Sequence, residues 1–220
     1  MISLYKAQTE WLEPTEFPDL KEAKEIAIDL ETKDTNLTTR GSGSATNNGE
    51  ITGIAVAVDG WKGYYPIAHE GGGNMDKVKV LDWFRTILKT DTPKVFHNAM
   101  YDVCWIKTLP DMKLNGKIID TMIAAGIVNE NRFKYDLNSL SREYLREGKN
   151  ETALREAASA LGVDPKSEMY KLPAMYVGEY AEKDANLTLR LWKEMKYEIY
   201  HEDCDSIFEL ETDLLPCLID

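Results

Sequence analysis

The apolar positions change period along the chain. Ile26-Ala27-Ile28-Asp29-Leu30-Glu31-Thr32 is an apolar run entered from Lys24 and Glu25 and left through charge, the pattern of a buried strand. Residues 51–58 form a second run, Asp59-Gly60 marks a tight turn, and residues 62–67 return beside it. These three segments predict an antiparallel meander. Beyond Gly71-Gly72-Gly73 the period lengthens. Val78, Leu81, Trp83, Phe84, Ile87 and Leu88 give an apolar face to a helix over residues 75–89, with Asn74 as its cap and Pro93 as its breaker. Residues 94–97 and 117–119 are short strand-type segments. Each leads into a helix, the first opened by Asn98 and ending near Lys107, the second capped by Asp120. From there the pattern is helical, with starts near Asp136, Asn150 and Tyr176, and a last stretch from Asp205 onward with an apolar stripe of Ile207, Leu210, Leu214 and Leu215. Strands first, then strand–helix alternation, then helices, predict an α/β fold. Its mixed five-stranded sheet combines the antiparallel three-strand meander with parallel strands and is flanked by helices.

Residues 1–24, with Pro14 and Pro18, read as an extended lead-in, and residues 32–50 as a long polar loop made flexible by its Gly/Ser-rich segment 41–49. His69, just past the meander, reads as a loop hydrogen-bonder. A length of 220 residues predicts one domain plus extensions. A net charge of −12 argues against a protein that coats DNA through many phosphate contacts, but not against one that grips a strand end through metal ions. There is no apolar run of membrane-spanning length and no signal-type core at the N-terminus. Cys104, Cys204 and Cys217 are odd in number and not at metal-ligand spacing. Together these features predict a cytoplasmic chain without disulfides and without a membrane partner.

The candidate chemistry lies in carboxylates. On a strand, residues i and i+2 share a face, so Asp29 and Glu31 project together. Two like charges so placed conflict unless a cation joins them. Asn98 and Asp102 lie one helical turn apart, and the Asn98 amide with the helix N-terminus suits a phosphate. Tyr180 and Asp184 are likewise i and i+4, so an aromatic hydroxyl can hold a water that the carboxylate's metal also holds. Each signal alone has a plainer reading. Asp29 and Glu31 end a strand that runs into solvent, Asn98 is a cap, and Asp184 pairs with Lys183 or Arg190.

In combination and in this order, the three signals resemble the DEDDy 3′–5′ exonucleases, most closely the proofreading domain of A-family DNA polymerases of phage type. His97-Asn98-Ala99-Met100-Tyr101-Asp102 resembles H-N-x-x-Y-D, Asp120-Thr121-Met122 resembles D-T-M, and Tyr180-Ala181-Glu182-Lys183-Asp184-Ala185 resembles Y-A-x-x-D-A. The resemblance covers roughly residues 20–200 and implies an RNase H-like sheet. It also implies two divalent ions, Mg²⁺ or Mn²⁺, roughly 3.5–4 Å apart. By resemblance, Asp29, Glu31 and Asp184 hold the ion that activates water, and Asp29 bridges to a second whose outer shell includes Asp102. Tyr180 orients the water. Thr32, Asn98, Tyr101 and Lys134 face the substrate, Lys134 standing where relatives often carry an arginine. Thr35 stands where relatives often carry a leucine packed on the terminal base.

The expected substrate is a single-stranded or frayed 3′ end of DNA, and the expected product a nucleoside 5′-monophosphate. Residues 209–216 resemble the opening of a polymerase region. They imply an exonuclease domain at 1–204, the start of a following polymerase region at 205–220, and a monomer that works beside the polymerase domain of its parent chain. An exoribonuclease of the RNase D or Werner type shares the same four acids and tyrosine. A non-catalytic nucleic-acid-binding module and a metal-dependent transferase on the same sheet are further alternatives.

Overall fold

The computed structural model describes residues 9–219, so the first eight residues of the expected lead-in lie outside the described residues. Strands β1 (Ile26–Lys33), β2 (Glu50–Val58), β3 (Trp61–Pro66), β4 (Lys94–Phe96) and β5 (Ile118–Asp120) form one sheet in the order β3-β2-β1-β4-β5. β1 runs antiparallel to β2, and β2 antiparallel to β3. β1 runs parallel to β4, and β4 parallel to β5. The mixed sheet expected from the apolar pattern is therefore present, with β1 at its centre.

The two faces of the sheet follow the strand's period of two. Ile26, Ile28 and Leu30 of β1 belong to one core, shared with Phe84 of helix α3 (Lys77–Leu88) and Val103 of helix α4 (Ala99–Lys107). Ala27 faces the other way with Ala55 and Ala57 of β2. Helix α8 (Gly178–His201) crosses this second face, and the small side chains beneath it let it lie close to the strands. Asp29 and Glu31 continue the Ala27 face and so point toward α8. Helices α5 (Thr121–Val128), α6 (Leu137–Tyr144) and α7 (Thr152–Leu161) complete this layer, together with single turns at Met169–Lys171 and Ala174–Tyr176.

Several local expectations are corrected by tertiary contacts. The cap of α3 is Asp76, whose carboxylate accepts from the Val78 and Lys79 amides at 3.0 and 3.3 Å. Asn74 instead brackets His69, accepting from its amide at 2.7 Å and donating to its carbonyl at 2.8 Å. The His69 ring is buried between the Leu172 carbonyl and the Tyr64 hydroxyl, a structural role. The loop after β1 is not featureless. It contains two short turns of helix, α1 (Leu37–Arg40) and α2 (Gly43–Thr46), and Asp34 accepts from the Gly43 amide at 3.1 Å.

The last helix, α9 (Asp205–Ile219), presents a different stripe to the core from the one expected. Phe208, Thr212, Leu215 and Ile219 are buried, whereas Ile207, Leu210 and Leu214 are exposed. Phe208 stacks on Trp192 of α8 with ring centroids 5.2 Å apart. A chain stopped near His201 is expected to keep its turnover, because every candidate site residue precedes that point. Its melting temperature should fall by several degrees as Trp192 loses its cover. Turnover measured beside a thermal melt checks both halves of this expectation.

Candidate active site

The site is built where β1 outruns its parallel neighbour. Pairing of β1 with β4 ends at Ala27 and Val95, so backbone groups further along β1 need other partners. Asp102 supplies one, accepting from the Leu30 amide at 3.2 Å. The pairing of β1 with β2 slips register between Glu31 and Thr32, a bulge at the acidic pair of the kind that re-aims side chains. Asp29 and Glu31 are partly buried, while Asp102 and Asp184 are 5% and 3% exposed.

Asp120 organises the turn that delivers α4. Its carboxylate accepts from the Asn98, Ala99 and Met122 amides at 3.0, 2.7 and 2.8 Å. His97 Nδ1 and Thr121 Oγ1 are 2.8 Å apart. The H-N and D-T segments, distant in sequence, are thus one hydrogen-bonded unit. Asn98 sits before α4 in the left-handed region (φ 69°), and its side chain makes no capping bond. It stands at the helix start as expected, but its carboxamide is exposed rather than capping. Thr32 and Tyr101 join through hydroxyls 2.7 Å apart, and Tyr101 donates to Asp34 at 3.1 Å. Since Tyr101 gives its proton to Asp34, Thr32 is the donor to Tyr101. These contacts tie the loop after β1 to α4.

A cleft of about 810 Å³ is lined by Glu31, Lys134, Lys149 and Tyr180. Lys134 therefore shares a cleft with Glu31, Lys149 and Tyr180.

The electrostatics are those of crowded acids. Burial pushes the Asp29 carboxyl up to about 7, the charge of Asp184 adds to this, and Lys149 opposes it. Glu31 is raised well above the usual range by burial and then by Asp29 and Asp184. Asp102 is raised by burial and by Asp29, against the Leu30 amide that favours its charge. Burial raises Asp184 as well, although Lys149 and the Tyr180 hydroxyl favour its anion. The phenol of Tyr180 is pushed well above its ordinary value, by burial first and then by Asp184, Glu31 and Asp29. The Tyr180 phenol is therefore protonated at neutral pH, able to donate a hydrogen bond.

Lys149 is the participant that sequence reasoning missed. It lies on the segment between α6 and α7, forms an ion pair with Asp184, and donates to the Tyr180 hydroxyl at 3.1 Å. The partners expected for Asp184 from the sequence are engaged elsewhere, Lys183 and Arg190 both pairing with Glu147 at 2.7 and 2.6 Å. The only trace in the sequence is a lysine beside Gly148 in a polar stretch, which points nowhere by itself.

The donor set fits divalent ions. It comprises four carboxylates of hard oxygen character, and one oxygen of Asp184, Oδ1, is buried without a hydrogen-bond partner among the described residues. Among the described residues no three such side chains already converge on one point, as a finished metal site would have them. Lys149 takes the other oxygen of Asp184.

A mixed sheet with four acids and a tyrosine about the end of its central strand resembles the class of 3′–5′ exonucleases. A family model of A-family DNA polymerases, described as 3′–5′ exonuclease, matches residues 15–200, and the chain belongs to that family. It is 36% identical over 216 residues to a DNA-directed DNA polymerase of Pseudomonas phage M6, covering 96% of this chain and 32% of the relative. It is 28% identical over 211 residues to DNA polymerase DpoZ of Salmonella phage PMBT28, covering 93% of this chain and 31% of the relative. The chain thus spans about a third of the length of these relatives.

Among solved structures, Brucella melitensis NrnC superposes with a TM-score of 0.63 at 17% identity, covering 92% of this chain and 87% of that one. NrnC with bound Mg²⁺ gives 0.60 at 18%, covering 92% and 87%. Escherichia coli RNase D, an exoribonuclease, gives 0.61 at 15%, covering 91% and 46%. At these identities the likeness is one of fold. No helix among the described residues is long and apolar enough to cross a membrane.

Proposed function

We propose that this chain removes nucleoside 5′-monophosphates one at a time from the 3′ end of DNA, as the proofreading domain of a phage DNA polymerase. The observation that carries this reading is the association of Asp29 and Glu31 on β1 with Asp102 on α4 and with Tyr180 and Asp184 on α8. These side chains lie close enough to raise one another's proton affinity. Mg²⁺ or Mn²⁺, the metal implied by the family, would be held by Asp29, Glu31 and Asp184, with Asp102 beside them. When bound it supplies charge neutralisation and lowers the pKa of water.

The chain's own residues do the rest. Hydrolysis adds water across the bond between the terminal phosphorus and the penultimate 3′ oxygen. That oxygen leaves as a new 3′ hydroxyl, and the phosphate stays with the departing nucleotide. Tyr180 keeps its proton and orients the water by hydrogen bonding. Asn98, exposed at the start of α4, addresses the terminal nucleotide with its carboxamide. The Thr32–Tyr101–Asp34 chain holds the Tyr101 ring at the same end of the sheet. Lys134, on the cleft, offers charge to a phosphate. The polymerase region of the parent chain would present the frayed end, and residues 205–220 would begin the link to it.

The substrate class is tested by matched single-stranded DNA and RNA with Mg²⁺ or Mn²⁺. Faster release of mononucleotides from DNA, abolished by EDTA, is the expected result. Faster release from RNA would transfer the assignment to the exoribonucleases. Tyr180→Phe is expected to lower turnover by ~10–100-fold, because one hydrogen bond to water is lost and the acids remain. Steady-state rates on the same DNA check this, and a loss as deep as that from removing Asp29 would mean that Tyr180 does more than orient water.

A further inference from the structure

Lys149 is a built feature of the site rather than a passing surface charge. Its ammonium holds Asp184 Oδ2 and lies 3.1 Å from the Tyr180 hydroxyl, and it lines the cleft with Glu31. Its charge also acts on Asp29 and Glu31. The segment that carries it is fastened at the lysine and two residues before it. The Lys149 amide donates to Asn138 Oδ1 at 3.1 Å, and Glu147 receives Lys183 and Arg190 of α8. Gly148 leaves the gap this needs, since a Cβ there would lie 2.9 Å from Arg142 Nε and 3.0 Å from Asn138 Oδ1.

The arrangement is nevertheless unfinished. Asp184 Oδ1 is buried with no hydrogen-bond partner among the described residues, and the Lys149 ammonium faces Asp184, Asp29 and Glu31. A buried carboxylate satisfied on one oxygen only is a poor end state. A lysine on a flexible stem that borders an open cleft can leave without unfolding the chain.

We propose that Lys149 is a resident counter-ion which stands at Asp184 in place of a divalent ion, and that the ion binds there by displacing it. The proposal rests on the metal-binding reading of the site. It makes Lys149 a positioning residue, with opposite effects on the two states. Removing its charge weakens the metal-free protein and strengthens metal binding.

The test uses the full chain and Mn²⁺ alone, without DNA. Binding is followed by calorimetry, and melting is followed in EDTA and in saturating Mn²⁺. Lys149→Met is expected to melt below the wild type in EDTA, to recover most of that gap in Mn²⁺, and to bind Mn²⁺ more tightly by on the order of tenfold, as loss of one competing buried charge allows. Lys149→Arg, which keeps the charge, should stay within a few-fold of the wild type. Equal Mn²⁺ affinity in Lys149→Met and wild type, or weaker affinity in the variant, would overturn the counter-ion role and leave the metal site standing. Absence of Mn²⁺ binding to the wild type would overturn both. Should Lys149→Met fail to fold in EDTA, the same change is made beside Asp184→Asn. With its main partner carboxylate gone, loss of Lys149 should then cost only the smaller part owed to Asp29 and Glu31, and a double variant that still fails to fold in EDTA would overturn the proposal.

Discussion

Asp29→Ala is expected to lower turnover by on the order of a thousandfold or more while the protein stays folded, since on the proposed reading it would take a shared ligand from a two-ion site. The fold should survive because β1 is held by Ile28 and Leu30 on the opposite face, whereas Asp29 lies on the side of the other acids, Tyr180 and Lys149. In the folded chain its carboxyl keeps a proton up to about pH 7, while an unfolded aspartate loses it near ~4. The folded state binds that proton more tightly, so in EDTA the native chain loses stability as pH rises through this window. Asp29→Asn removes the loss and should melt no lower than wild type at pH 8. Rates with Mg²⁺ and melts in EDTA test both points. Near-wild-type turnover, or an unfolded variant, would contradict the assignment.

The second large effect concerns stability. Asp120→Ala is expected to lower the melting temperature by roughly 10 °C, because three backbone amides lose their acceptor at ~1–3 kcal/mol for each one left buried. Those amides belong to Asn98, Ala99 and Met122, so the turn into α4 and the start of α5 loosen together. Turnover should fall as well, since Asn98, Tyr101 and Asp102 are carried by that turn. Asp120→Asn keeps one carbonyl acceptor and should lose less. A thermal melt unchanged by Asp120→Ala would show that the three amides find other partners.

What could be read from the sequence was what local periodicity encodes. The apolar runs located all five strands, and the spacing in Asp29-x-Glu31 and Tyr180-x-x-x-Asp184 set each pair on one face. Asp120 was legible as a cap because its acceptor role is local, toward Met122. Its bonds to Asn98 and Ala99 depend on β4 and β5 being neighbours and were not legible.

The misses share that cause. Asn74 and Asp76 are both plausible caps, and His69 decides between them by claiming Asn74. The apolar residues of α9 suit either of two faces, and Trp192 decides which is buried. The Gly/Ser-rich composition of the loop after β1 says nothing of Asp34 tying it to Gly43. Lys149 reaches Asp184 across 35 residues with no pattern linking them, so only the fold brings it to the acids.

The central claim is tested most directly by a single-stranded DNA labelled at its 5′ end, incubated with the chain and Mg²⁺ and sampled through time. The account predicts a ladder that shortens by one nucleotide per step from the 3′ end, with nucleoside 5′-monophosphates as the product. EDTA or Asp184→Ala should stop it. Intact DNA after prolonged incubation with Mg²⁺ or Mn²⁺, internal cuts in place of the ladder, or a ladder that persists in EDTA would contradict it.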